Sequence, residues 1–246
     1  DGEEVKSETF LIGATQNIFV SSNNIYVTYT DYWVYPLMER SNETSDWETE
    51  NTIIHKISIS DGTIEYKSEG EVPGHVLNQF SMDEYQGHFR IATTTGWMGQ
   101  NNVYVLDGNL DIAGRLEGLA PGERIYSARF IGSRAYLVTF KKVDPLFVID
   151  LEDPNNPKVL GELKIPGYSD YLHPYDETHL IGVGKDAVDM GSFAWYRGVK
   201  IALFDVSDPE NPREISKYMI GDRGTDSYAL QDHKAFLFSR SKNLLV

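Results

Sequence analysis

The residues of this chain whose types and spacing come nearest to a known chemistry are its histidines, its Asp-Pro turns and one glycine-rich run. The histidines are His55, His75, His88, His173, His179 and His233. None belongs to H-E-x-x-H or to an i, i+4 pair that would hold zinc on a helix. His88, His179 and His233 each head a similar apolar run, a recurrence that assigns them to packing or turn bonding. Gly182-Val-Gly184-Lys-Asp-Ala187 satisfies G-x-G-x-x-A after an apolar run. A dinucleotide site also needs a helix whose N-terminus receives the pyrophosphate. Met190-Gly-Ser and aromatics follow instead, so these glycines are read as serving a strand end and a loop entry. The carboxylates of Asp150-Leu-Glu-Asp-Pro154 and Asp205-Val-Ser-Asp-Pro209 invite calcium, but the D-x-[DN]-x-[DN]-G loop is absent. Turn formation accounts for them. The reading assigns no catalytic residue, metal ligand or cofactor, with calcium the one ion left open.

Other chemistries fall on composition. The chain has no cysteine, which removes disulfides, thiolate ligands and Cys nucleophiles together. No G-x-S-x-G elbow occurs. With 37 acidic and 22 basic side chains the net charge is −15, which would repel a nucleic-acid backbone. No stretch approaches the roughly 18 apolar residues of a membrane span. Asp1-Gly-Glu-Glu is no signal peptide, so the chain is expected to be a soluble piece whose targeting segment has been removed. Asn42-Glu43-Thr44 is a sequon.

The elements that would position any site come from internal repetition. An apolar run recurs as Asn24-Ile-Tyr26-Val-Thr28, His88-Phe-Arg90-Ile-Ala92, Arg134-Ala-Tyr136-Leu-Val138, Thr178-His-Leu180-Ile-Gly182 and Lys234-Ala-Phe236-Leu-Phe238. Two of its intervals, Arg90 to Tyr136 and Tyr136 to Leu180, are near the roughly 40–45 residues of a four-stranded blade. Each interval then carries a second apolar run, an Asp/Asn/Gly/Pro turn, a more polar strand and a Pro-Gly or Ile-Gly break. A further strand leads into the next repeat, carrying Ser127, Ser169 or Ser227 at its start. These serines and the nearby Arg129 suit an anion at one mouth of a channel, or simple backbone bonding.

The order predicts an all-β fold, a β-propeller of four-stranded antiparallel blades, with about four complete blades and partial blades at both ends. The blade-like units are 16–73, 76–121, 125–166 and 168–220, with 227–246 and 5–13 supplying a partial blade. The strands are named A to D from the axis outward. The chain is read as one propeller domain or a fragment of a longer propeller, with a ring closed by its two ends as the alternative.

Leu146-Phe-Val-Ile-Asp150-Leu-Glu-Asp-Pro154-Asn-Asn-Pro157 and Leu203-Phe-Asp-Val-Ser-Asp-Pro209-Glu-Asn-Pro212 resemble the LVIVD repeat of surface proteins. With Phe80-Ser-Met-Asp-Glu-Tyr, Arg90-Ile-Ala-Thr-Thr-Thr and Asp232-His-Lys-Ala-Phe-Leu-Phe, the chain is similar to secreted archaeal and bacterial proteins with a C-terminal β-propeller distantly related to WD40 repeats. The resemblance implies an exported or cell-surface module and carries no catalytic residues.

The functional clue is tryptophan. Trp33, Trp47, Trp97 and Trp195 all fall between the second and third strands of their repeats, joined by Tyr35 and Tyr196. Such B–C loops would share one face and stand beside Glu39, Glu43, Asp46, Glu48 and Glu50. Rigid aromatic faces with polar rims suit sugars or protein partners. The expected function is therefore extracellular recognition of a glycan or protein. Alternatives are a polysaccharide- or peptide-cleaving enzyme using loop Asp, Glu and His, or a structural envelope component.

Overall fold

The computed structural model describes residues 7–33, 49–60, 62–96, 99–140, 144–189 and 194–246. Its strands form four consecutive four-stranded sheets. The first contains β1 (Asn17–Val20), β2 (Asn24–Trp33), β3 (Thr49–Ser58) and β4 (Glu65–Pro73). The second contains β5 (Met82–Tyr85), β6 (His88–Thr95), β7 (Gln100–Leu106) and β8 (Ile112–Leu119). In the third are β9 (Arg124–Ile131), β10 (Arg134–Phe140), β11 (Asp144–Asp150) and β12 (Lys158–Ile165). The fourth holds β13 (Tyr168–Pro174), β14 (His179–Asp189), β15 (Ala194–Asp205) and β16 (Arg213–Ile220). Strand order follows chain order in every sheet, and all pairings are antiparallel. This is the all-β blade architecture expected from the repeats.

Local chemistry explains the hairpins. Between Tyr85 and His88, which pair, the two-residue turn Gln86-Gly87 has φ of 50° and 80°. Positive φ at both positions is what a tight hairpin matching the strand twist needs. At the Asp-Pro turns, the Asp150 and Asp205 carboxylates accept from the backbone N–H of Glu152 (3.1 Å) and Ser207 (3.0 Å). The Ser207 hydroxyl adds a second bond to Asp205 (2.6 Å), and these bonds lead in holding its carboxyl down at about 2. Those carboxylates act in turn formation.

The described residues cluster into two compact units, 1–121 with 154–156, and 122–153 with 157–246. In the first, the faces of β1–β4 and β5–β8 meet through Tyr26, Ile54, Val72, Ile91, Tyr104 and Leu106. Tyr26 stacks on Phe89 with centroids 4.2 Å apart. In the second unit, Tyr136, Val138, Leu146 and Val148 meet Leu172, Leu180, Ala202 and Phe204. Tyr26, Tyr136 and Leu180, all expected as anchor-strand core, are fully buried. Apolar area removed between sheets is the term that holds such a stack together.

The ends depart from expectation. Residues 7–13 form no strand. In place of the strands expected over 227–246 there are 3-10 turns at Tyr228–Leu230, His233–Ala235 and Arg240–Lys242. Two-residue strands β17 (Phe238–Ser239) and β18 (Leu244–Leu245) pair with each other. The reason is local capping: Ser227 accepts from Ala229 N–H, and Asp232 from Lys234 N–H at 2.9 Å, which curls the backbone before it can extend. Phe236, expected on an anchor strand, is half-buried, its ring packed on Tyr171 and His173 at 5.3 and 5.0 Å.

Candidate functional site

In the second unit the strand ends bring aromatic rings together at one end of the sheets. Tyr126 lies near the start of β9, Phe140 ends β10, Tyr168 starts β13, and Tyr196 lies near the start of β15. Strands alternate direction, so the start of an odd strand and the end of an even one fall at the same end. Tyr168 is central, with centroids 4.8 Å from Tyr126, 4.9 Å from Phe140 and 5.6 Å from Tyr196. Phe140 also meets Tyr126 at 5.4 Å and Tyr196 at 6.0 Å. The Tyr168–Tyr196 and Tyr126–Phe140 contacts are edge-on, the arrangement the ring quadrupoles prefer. Phe140 is buried, while Tyr196 is 42% exposed, so the cluster has an anchored floor and an open edge.

Only part of the expected aromatic set can be placed. Tyr35, Trp47 and Trp97 lie outside the described residues. So do Glu39, Glu43, Asp46 and Glu48. The backbone of Trp33 ends β2, paired with Thr49. Trp195 and Tyr196, expected in a long loop, are on β15, paired with Val188 and Ala187 of β14. Both strands run further than their apolar runs suggested, because β-formers such as Val188, Trp195 and Tyr196 continue the ladder.

Adjacent residues of a strand project to opposite faces of the sheet. Trp195 and Tyr196 therefore do not share a surface. Tyr196 joins the cluster, whereas Trp195, also 42% exposed, lies beneath Arg223, whose guanidinium carbon is 4.2 Å from the ring centroid. Tyr126, Phe140 and Tyr168 were not singled out from sequence. Their common position at A-strand starts and B-strand ends was the available signal.

The other candidates find structural partners. Ser127 is buried and its hydroxyl donates to the Ser169 carbonyl at 2.6 Å. Arg129 is no anion site, since its Nε donates to the Leu172 carbonyl (3.0 Å) and its terminal nitrogen to the Tyr171 hydroxyl (3.1 Å). Both bonds tie β9 to β13. Gly182 and Gly184 sit within β14, not at its end as expected. A Cβ on Gly182 would meet Ser169 Oγ at 2.5 Å, and one on Gly184 would collide with the Tyr168 carbonyl. Close strand approach accounts for both glycines, and a strand rather than a helix follows.

At the matching end of the first unit, Glu50 at the start of β3 accepts from Gly96 N–H (3.0 Å) and from His75 Nδ1 (3.2 Å). His55 Nδ1 lies 3.0 Å from the Tyr66 hydroxyl, and His179 Nδ1 lies 2.8 Å from Asp176. Among the described residues, no three His, Asp or Glu side chains are grouped to hold a metal ion.

One carboxyl stands apart. Asp170 occupies a bulge of β13, where the register with β14 shifts between Ser169 and Tyr171. Burial pushes its carboxyl up to about 7; Lys185 opposes this and Asp226 reinforces it. Lys185 and Asp226 form an ion pair at 3.3 Å. A bulge that leaves a side chain unpaired in the ladder is a common way to aim a functional group.

Two archaeal relatives place this chain among known proteins. An uncharacterized protein of Methanocaldococcus jannaschii is 51% identical over 198 residues, covering 78% of this chain and 30% of that protein. An uncharacterized protein of Archaeoglobus fulgidus is 43% identical over 190 residues, covering 77% and 28%. The chain thus spans less than a third of the length of either relative. The family model described as beta propeller domain matches residues 1–246. With four antiparallel four-stranded sheets in chain order, the chain belongs to the beta propeller domain family.

Proposed function

We propose that this chain is an extracellular or cell-surface recognition module that holds a neutral glycan or a protein at the aromatic end of its blades. Beta propeller domains are binding or scaffold modules in general, and specificity resides in the site each one carries. The observation that carries the reading is the Tyr126–Phe140–Tyr168–Tyr196 cluster, rigid at Phe140 and open at Tyr196. A ring held by its neighbours gives up little conformational freedom when a sugar or side chain packs on it. The excess of acidic over basic residues disfavours anionic ligands. The same resemblance to surface repeat proteins that the Asp-Pro turns carry supports the extracellular setting.

A glycan array probed with the chain, with and without calcium, tests the reading. Tyr196→Ala should weaken any bound glycan about 3–10-fold, the loss of about 0.5–1.5 kcal/mol of ring stacking. The melting temperature should hold, because Tyr196 is on the open edge. An array without a hit, or a hit indifferent to Tyr196→Ala, overturns the glycan assignment.

A further inference from the structure

We propose that Trp195 is a cation-recognising face that the chain occupies with its own Arg223, and that a basic segment of a protein partner takes the place of that arginine. The inference rests on reading this end of the fourth sheet as a recognition surface, and it goes further by naming the partner's chemistry.

The geometry is that of a filled site. The Arg223 guanidinium lies 4.2 Å over the indole, the aromatic face that binds cations best. Arg223 is exposed and, among the described residues, its guanidinium forms no ion pair. Among the described residues, the contact of its guanidinium is the ring itself, a contact that a second guanidinium reproduces. The segment bearing it follows β16 and is preset by its own turn. Asp222 N–H donates to Thr225 Oγ1 (3.0 Å), and Thr225 N–H donates to the Asp222 carbonyl (2.9 Å). Gly221 and Gly224, at φ of +67° and +88°, supply the left-handed conformations on either side of Arg223.

The segment is a strap with two side-chain ties. One is Arg223 on Trp195; the other is Asp226 on Lys185 at 3.3 Å, with Asp226 more than half exposed. Exposed cation–π and ion-pair contacts are both weak, so neither tie commits the strap. Asp222 and Asp226 flank Arg223 in sequence. The chain as a whole carries −15. An incoming arginine or lysine segment thus meets an aromatic face in an attractive field. Small substitutions on the strap should therefore tune affinity without altering the sheet.

The test is a titration of the chain with an arginine-glycine repeat peptide at fixed ionic strength, followed by tryptophan fluorescence and calorimetry. Arg223→Ala should tighten binding about two- to fivefold, the scale of one exposed cation–π contact. Lys164→Ala removes the same charge from an exposed site on β12 and should leave affinity unchanged. Trp195→Ala should weaken binding about fivefold or more. Trp195→Phe, which keeps a ring, should fall between and guards against loss of folding. Equal gains from Arg223→Ala and Lys164→Ala would reduce the effect to net charge and overturn the proposal, as would a peptide that binds no variant. Loss of peptide binding in Tyr196→Ala with no response to Arg223→Ala would assign the peptide to the ring cluster. That outcome sinks this proposal while sparing the recognition reading.

Discussion

Asp170 shows how much one side chain's surroundings decide. Its carboxyl is raised from 3.8 to about 7, first by burial and then by the nearby Asp226 charge, against the pull of Lys185. On β9, which packs against β13, Arg129 is spent on Leu172 and Tyr171. The fold therefore binds the Asp170 proton more tightly than the unfolded chain does. That contribution is complete below about pH 4 and is lost as pH rises through about 7. Asp170→Asn, which stays neutral, should be more stable than the parent at pH 8 by about 2–4 kcal/mol. The difference should vanish near pH 4, and urea denaturation at the two pH values measures it. Parallel stability profiles for the two proteins would show that Asp170 titrates normally.

At the scale of elements, the hairpins are set by turn residues and the inter-strand spacing by glycine. Gly184 of β14 faces the Tyr168 carbonyl so closely that a Cβ has no room, and its pairing partner Ser169 sits next to the Asp170 bulge. Gly184→Ala should destabilise the second unit by about 1–3 kcal/mol through overpacking. It should also perturb Tyr168 and with it the Tyr196 contact. A melting temperature equal to the parent's would mean that β13 shifts at no cost. Gly87, whose surroundings are open, is constrained by its positive φ alone.

For the molecule as a whole the dominant quantity is charge. An excess of 15 negative charges makes the folded state repel itself, and salt screens that repulsion. Raising sodium chloride should therefore raise the melting temperature by about 2–4 °C, equivalent to about 1 kcal/mol for a chain of this size. Calcium chloride at matched ionic strength should do no more. A clearly larger shift with calcium would identify a specific ion site, for which the Asp150 and Asp205 turns are the first residues to mutate.

The sequence alone determined the strands of the four complete blades and their order, because those are local matters, whereas the strands expected at the two ends gave way to irregular backbone and 3-10 turns. Apolar runs make strands, and Asp, Asn, Gly and Pro at fixed offsets end them, as at Asp205-Val-Ser-Asp-Pro209. Tyr26, Tyr136 and Leu180 were legible as core for the same reason. The aromatic cluster was legible at one of its four rings: Tyr196 stood out beside Trp195, but Tyr126, Phe140 and Tyr168 did not. Rings as far apart in sequence as Phe140 and Tyr196 meet only because alternating strands return their ends to one place. Tertiary structure also decided that Trp195 and Tyr196 part company, since the ladder with Val188 and Ala187 runs past the apolar residues that marked the strands. Arg223 over Trp195 and the burial of Asp170 were invisible for a related reason. Both depend on how separate segments come together in the fold, and composition and spacing carry no record of that.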